Sequence, residues 1–221
     1  MNGMFITFEG PDGAGKSTQI QKLAQYINDK GYPYILTREP GGTKIGDAIR
    51  EILINPDHTE MVDETEVLLY AASRAQHIRE VILPALHDGK IVLCDRFVDA
   101  SIAYQGYGLG VSMEAVKAIN RFAVGELEPN RTYLIDISPE IGRERMTKRQ
   151  THSQGSEDLD RIEQKNLDYH QRVREGFQRI YIENKQRICL VNGDQPPEDV
   201  FKAILSDFES MLEQQFHLRG D

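Results

Sequence analysis

The sequence predicts an α/β protein: a doubly wound, five-stranded parallel sheet flanked by helices, in one domain spanning 1–221. Three observations carry this. Five short apolar runs alternate with segments of helical period, the order that builds a parallel sheet through right-handed crossovers. One of those runs, Ile91, Val92, Leu93, Cys94 and Asp95, stays apolar up to its last residue, as a strand covered on both faces does. A glycine-rich turn separates the first run from the first helical segment. No proline-rich linker and no internal repeat divides the chain.

The first run, 5–8, leads into Gly10, Pro11, Asp12, Gly13, Ala14, Gly15, Lys16, Ser17 and Thr18, which satisfy G-x-x-x-x-G-K-[ST]. Glycines let backbone N–H groups converge on phosphate oxygens where side chains would block the approach. The helix that follows, with Ile20, Leu23, Ala24 and Ile27 at helical spacing, turns its positive N-terminus to the same anion. Lys16 adds a full charge there, and the Ser17 hydroxyl can reach a magnesium ion.

Lys30 and Gly31 stop this helix, and 34–37 reads as the second strand. Arg38, Glu39, Pro40, Gly41 and Gly42 sit at its end, where ligands gather in open α/β sheets. Ile45, Ile49, Ile52 and Leu53 mark a short amphipathic helix that carries Arg50 and closes at Asn55 and Pro56. From 64 to 86 the pattern is again helical, with Arg74 and His77 one turn beyond an apolar stretch, and Gly89 ends it. The third strand, 91–95, finishes on Asp95, where a magnesium-organising carboxylate belongs, and Arg96 follows. The glycines of 106–110 open no helix after a strand, so a dinucleotide fingerprint is rejected and a mobile loop expected.

A helix over 112–125 leads to the fourth strand, 132–137. Ser138 and Pro139 start the next helix with a capping hydroxyl and a proline in the first turn. Its continuation is basic: Arg143, Arg145, Lys148 and Arg149 stand against Glu144 alone. The polar stretch 151–156 follows, and together these suggest a mobile lid around 143–161. A long helix over 160–184, a fifth strand over 188–191 and a closing helix over 197–216 complete the pattern.

Composition narrows the function. A formal charge of -9 argues against a general binder of nucleic-acid polymers, since phosphate-backbone binding needs a basic surface. No apolar run approaches the length of a membrane span, and no signal-peptide pattern opens the chain, so a cytoplasmic protein is expected. Cys94 and Cys189, without C-x-x-C spacing, read as reduced buried thiols.

A phosphate cradle with a carboxylate and scattered arginines leaves two classes open: phosphoryl transfer to a small acceptor, or a nucleotide-dependent switch. A guanine-reading switch carries N-K-x-D after a strand, whereas Asn184 and Lys185 precede one and are followed by Gln186 and Arg187. A kinase needs a second cationic site to offset repulsion between donor and acceptor phosphates. Arg38, Arg50, Arg74 and Arg96, all at or near the ends of predicted strands, are available for it.

These residues resemble the thymidylate kinase family in its bacterial form, a branch of the P-loop nucleoside monophosphate kinases. The resemblance rests on 8–18, Arg38 to Gly42, Ala71 to Arg74, Asp95 and Arg96, Ala103 to Gln105, and Asp160 to Glu163, in that order and spacing. It implies ATP and Mg2+ as donor and cofactor, dTMP as acceptor, dTDP as product on the way to dTTP, and a homodimer packed through helices. Asp12 resembles the carboxylate that holds the sugar 3′-hydroxyl, and Arg38 and Arg96 the clamp on the acceptor phosphate. Arg74 and Gln105 resemble the readers of the thymine edge, Tyr70 the ring stacked on the base, and Tyr104 the ring that excludes a ribose 2′-hydroxyl. Ser17 and Asp95 would hold the metal, while Arg143, Arg145, Arg149 and Arg161 lie in or beside the lid. The sequence departs from the family in two places. Gly13 and Ala14 put no basic residue inside the cradle, so the catalytic arginine comes from the lid, with Arg145 and Arg149 as candidates. Phe97 and Ala100 each replace a hydroxyl-bearing residue, which weakens the case for Ser101 as an acceptor contact. Another small-molecule P-loop kinase is the second reading, and an assay across dTMP, dUMP, dCMP and thymidine separates the two.

Overall fold

The structure, a computed structural model, describes residues 3–152 and 160–217, the last four of each stretch by backbone alone. Five parallel strands form one sheet: β1 (Met4–Glu9), β2 (Tyr34–Arg38), β3 (Ile91–Asp95), β4 (Arg131–Asp136) and β5 (Ile188–Asn192), in the order β2-β3-β1-β4-β5. The order reverses about β1, which pairs with β3 on one side and β4 on the other. Such a reversal leaves a crevice at the carboxyl ends of the strands.

Period-two alternation along β1 and β3 feeds two cores. Met4, Ile6, Phe8, Ile91 and Leu93 pack with Leu23 and Ile27 of α1 (Lys16–Asp29) and with Ile204 and Phe208 of α9 (Pro197–His217). Phe5, Val92 and Cys94 pack on the other face with Ile78, Ile82 and Phe97. Each such side chain taken fully out of water stabilises the fold by roughly 1.5–3 kcal/mol. The remaining helices are α2 (Lys44–Ile54), α3 (Asp63–His77), α4 (Leu83–His87), α5 (Val98–Ser101), α6 (Met113–Val124), α7 (Pro139–His152) and α8 (Leu167–Glu183). Among the described residues, no helix is long and apolar enough to cross a membrane.

The structure refines or corrects the sequence reading at four points. The helix expected over 64–86 is present as α3 and α4, joined without a break through a π-helical turn, Ile78–Ile82. The loop expected at 106–110 is largely a second π-helical stretch, Ile102–Gly108, and it is buried. Its glycines serve close packing: a Cβ on Gly106 would lie 2.7 Å from the Met113 Cε, and one on Gly108 2.7 Å from the Tyr169 ring. The helix expected from 160 begins at Leu167, capped by Asn166, whose Oδ1 accepts the Tyr169 N–H at 2.9 Å. Residues 160–165 form a turn instead, because the Asp160 Oδ1 accepts the N–H groups of Ile162 and Glu163 at 2.9 and 2.8 Å. Of the two thiols, both free, Cys94 is buried and Cys189 only half-buried.

Candidate active site

Strand register brings the charged ends of three strands together. Asp95 of β3 lies beside Phe8 of β1 and beside Arg38 of β2, so the cradle, Arg38 and Arg96 leave the sheet at one point. Gly15 caps α1 in the left-handed region at φ 89°, a conformation that glycine adopts without steric cost. Lys16 is 7% exposed, and its Nζ donates to the carbonyls of Gly10 at 3.0 Å and Pro11 at 2.9 Å. Burial, then the Arg96 charge, lower its pKa to about 8, against the opposing pull of Asp95, Asp12 and Glu9. At the mouth of the cradle the Ser17 hydroxyl donates to Asp95 Oδ2 at 3.0 Å. A hydroxyl and a carboxylate side by side next to a phosphate cradle fit Mg2+, which takes one or two protein oxygens and completes its shell with phosphates and water.

Arg96 joins the cradle to the rest of the site. It has φ 70°, rare outside glycine, and its surroundings over-determine it. Its N–H bonds Phe8 O at 3.0 Å, Nη1 bonds Gly10 O at 3.1 Å, and Nη2 bonds the Asp12 carboxylate and, at 3.0 Å, the Tyr104 hydroxyl. The Tyr104 hydroxyl in turn donates to Asp12 Oδ2 at 2.8 Å. Burial alone would raise the Asp12 carboxyl, but Arg96, then Lys16 and the Tyr104 hydroxyl, hold it below the usual range. Beneath this turn, Glu9 Oε1 accepts the N–H groups of Phe97 at 2.7 Å and Ala100 at 3.3 Å. Burial, then the neighbouring Asp99, push the Glu9 carboxyl up to about 8.

One cavity of about 570 Å³ runs from the cradle to α3. Asp12, Gly13, Gly15, Lys16, Ser17 and Thr18 line its donor end, with Asp95, Arg96 and Arg145. Arg38, Arg50, Tyr70, Ser101, Tyr104 and Gln105 line its far end. Arg38 is mostly exposed and 3.5 Å from Asp47, a weak surface pair that leaves it free to reach a ligand. Arg50 donates to Pro40 O at 3.2 Å; burial, then Arg38, lower its pKa. Ser101, placed weakly by the sequence, is on the cavity wall.

Three expectations meet a different geometry. Arg50 and Arg74 stand on α2 and α3 rather than on the segments that follow the strands, and only their guanidinium groups reach back to Pro40, Glu39 and Phe97 just beyond the ends of β2 and β3. Arg74, 2% exposed, does not line the cavity. Its guanidinium is engaged by Glu39 at 2.6 Å, Ser101 at 3.0 Å, Phe97 O at 3.0 Å and the Asn120 carbonyl oxygen. Arg143 lines a separate small pocket with Asp12, Glu163 and His170 rather than the main cavity. The Arg149 side chain and residues 153–159 of the expected lid lie outside the described residues. Arg145 does reach the cavity, its Nη2 donating to Gly193 O at 3.0 Å and its Nη1 approaching Gly13 O at 3.5 Å.

The sequence reading gave no role to Glu39, Asp160, Glu163 or Met146, which also line the cavity, nor to Glu66 behind it. Glu39 ties Arg74 to His77 Nδ1 at 3.0 Å, and His77 Nε2 meets the Thr37 hydroxyl at 2.6 Å, so β2 and α3 are fixed to each other. A signal for Glu66 existed: Glu66, Tyr70 and Arg74 are spaced by four and therefore share one face of α3.

A phosphate cradle facing a second cationic pocket across one cavity defines a P-loop kinase that phosphorylates a small anionic acceptor. A family model described as thymidylate kinase matches residues 8–204. The chain is 50% identical over 218 residues to a thymidylate kinase of Exiguobacterium sibiricum, covering 99% of this chain and 100% of the relative. It is 44% identical over 213 residues to one of Geobacillus sp. (strain WCH70), covering 96% and 99%. A solved thymidylate kinase structure from Ehrlichia chaffeensis superposes with a TM-score of 0.74 at 31% identity, covering 94% of this chain and 99% of that one. The chain belongs to the thymidylate kinase family and is a kinase.

Proposed function

We propose how the family reaction, transfer of the γ-phosphoryl group of ATP to dTMP to give dTDP and ADP, is divided among the residues of this cavity. The donor triphosphate lies on the cradle, and dTMP lies between Arg96 and α3 with its base toward Gln105. The observation that carries this reading is the position of Arg96, bonded to both Gly10 O and Asp12 where the two halves of the cavity meet. Two phosphates brought together there repel, and Lys16, Arg38, Arg50 and Arg96 supply the fixed positive charge that offsets the repulsion. Ser17 and Asp95 would hold Mg2+, which supplies further charge neutralisation on the donor oxygens when bound. Tyr104, braced by Asp12 and Arg96, crowds the sugar where a ribose would carry its extra hydroxyl, and Tyr70 offers a ring face to the base. Arg145, already against Gly13, supplies positive charge from the lid side, and the basic segment around 143–161 is the lid in this reading.

The enzyme is further proposed to act in the cytoplasm, as two free thiols favour, and as a homodimer through the outer faces of α2, α3 and α6. Exposed apolar residues on those three helices support the second point, Phe122 most of all at 88%. The test of the reaction is ADP release measured with dTMP, dUMP, dCMP and thymidine. Turnover is expected with dTMP above all, and thymidine, which lacks the acceptor phosphate, is expected to be inert. Preference for another acceptor would overturn the reading.

A further inference from the structure

Glu66 faces inward from α3, 1% exposed, behind the far end of the cavity. Its Oε1 accepts Gln105 Nε2–H at 2.9 Å and its Oε2 accepts Arg161 Nη2–H at 2.6 Å. Arg161 is itself fixed, donating through Nε to Leu53 O at 2.9 Å and through its backbone N–H to Ile54 O at 3.0 Å. A carboxylate only accepts hydrogen bonds, so the Gln105 amide must present its nitrogen to Glu66 and turn its carbonyl oxygen away. That oxygen is buried and has no hydrogen-bond partner, while Gln105 lines the cavity. An unpaired buried acceptor is unfavourable until a ligand N–H meets it.

We infer that Glu66 is the positioning residue for base choice: by locking the Gln105 amide it leaves an acceptor at the pocket wall that selects a pyrimidine protonated at N3. Thymine and uracil carry an N–H at that ring position. Cytosine carries a lone pair there, and two acceptors facing each other leave both unpaired. Arg161 holds Glu66 in place through its 2.6 Å contact to Oε2, so the amide has no alternative orientation with both of its own groups satisfied. This inference rests on the reading of the acceptor as dTMP and deepens it.

The experiment compares kcat/KM for dUMP and dCMP, which share the missing methyl and differ at the base edge, in the wild type, Glu66→Gln, Gln105→Leu and the double variant. A glutamine at 66 can donate as well as accept, so the Gln105 amide is free to turn its N–H to cytosine. The dUMP-to-dCMP ratio is expected to fall about tenfold or more in Glu66→Gln, the scale of one hydrogen-bond mismatch. A similar fall is expected in Gln105→Leu, with no further fall in the double variant, because both act through one group. A purely structural Glu66 would lower both nucleotides together; an unchanged ratio, or a further independent fall in the double variant, overturns the inference. Should Glu66→Gln not fold, Glu66→Asp replaces it: the charge stays for Arg161 but the oxygen withdraws from Gln105 by one methylene, and an unchanged ratio is equally decisive. A wild type that uses neither dTMP nor dUMP overturns the proposed function and this inference with it, whereas dTMP turnover with an unmoved ratio overturns this inference alone.

Discussion

Lys16 is held at the edge of its titration range, and that makes its charge measurable. Burial, then Arg96, set its pKa at about 8 in the free protein, and only the ammonium form stabilises a phosphate. As pH rises through about 8, kcat/KM for ATP should therefore fall, and a profile flat to pH 9 would contradict this. Lys16→Ala should fold and lose about a hundred- to a thousandfold in turnover, the roughly 2.7–4 kcal/mol that one preorganised donor supplies. Glu9 makes the opposite kind of statement, about stability. Its folded pKa is raised from the ordinary 4.5 to about 8 by burial, then by Asp99, so the folded chain holds a proton that the unfolded chain has released. Stability from this group is complete below about 4.5 and is lost as pH rises through about 8, with a steepest slope near 1.4 kcal/mol per pH unit for one proton. Glu9→Gln removes that slope, and urea unfolding from pH 5 to pH 8.5 should show wild type losing ground to the variant; parallel curves would refute it. Lys16 was legible in the sequence because the cradle is contiguous. Arg74, which the resemblance makes a reader of the base edge, does not line the cavity and is held by Glu39, Ser101 and Asn120, which lie 35, 27 and 46 residues away and which no local pattern announces.

At the scale of elements, the first turn of α7 rests directly on the cradle. A Cβ on Gly13 would lie 2.5 Å from Gly142 O, and one on Gly142 would lie 2.5 Å from Asp12 O, so two glycines bring the backbones into contact. Arg145, one turn further along, thereby reaches Gly13 O and Gly193 O. If its charge acts on the transferring phosphoryl group, Arg145→Met should lower kcat about a hundredfold or more while KM for dTMP barely moves, as for a contact made only in the transition state. A kinetically silent variant with a lower melting temperature would leave Arg145 as a strut between the cradle and the end of β5. All five strands were legible, since continuous apolar runs bounded by turn residues have few other interpretations. The π-helical turns and the four-residue α5 were not, because neither is long enough to impose a period. The start of α8 was misplaced because Asp160 to Lys165 has helical composition but spends Asp160 on its own local N–H groups.

At the scale of the whole molecule, the outer helices present an apolar face. α3 lies between α2 and α6, and all three expose apolar side chains: Ile45 and Ile52 on α2, Leu68 on α3 and Phe122 on α6. On α2 the pair is seven residues apart with the exposed Ala48 between them, and on α6 the exposed Ala118 stands one turn before Phe122, so each helix presents an apolar stripe. The homodimer proposed above would cover this apolar face. In a two-fold dimer each residue is buried twice, so one substitution counts twice. Replacing Phe122 or Leu68 by glutamate would remove about 1.5–3 kcal/mol of burial per copy, raising the dissociation constant roughly a hundred- to ten-thousandfold. Sedimentation velocity over a concentration series should show wild type as a dimer and Phe122→Glu shifted toward monomer; an unshifted variant would remove this face from consideration. Activity should report the same event. α3 carries Leu68 outward and Glu66, Tyr70 and Arg74 inward on adjoining turns, so loosening its outer contact should raise KM for dTMP more than KM for ATP, which binds at the other end of the cavity. Equal changes in both constants would mean that the outer face supports the fold without reaching the base pocket.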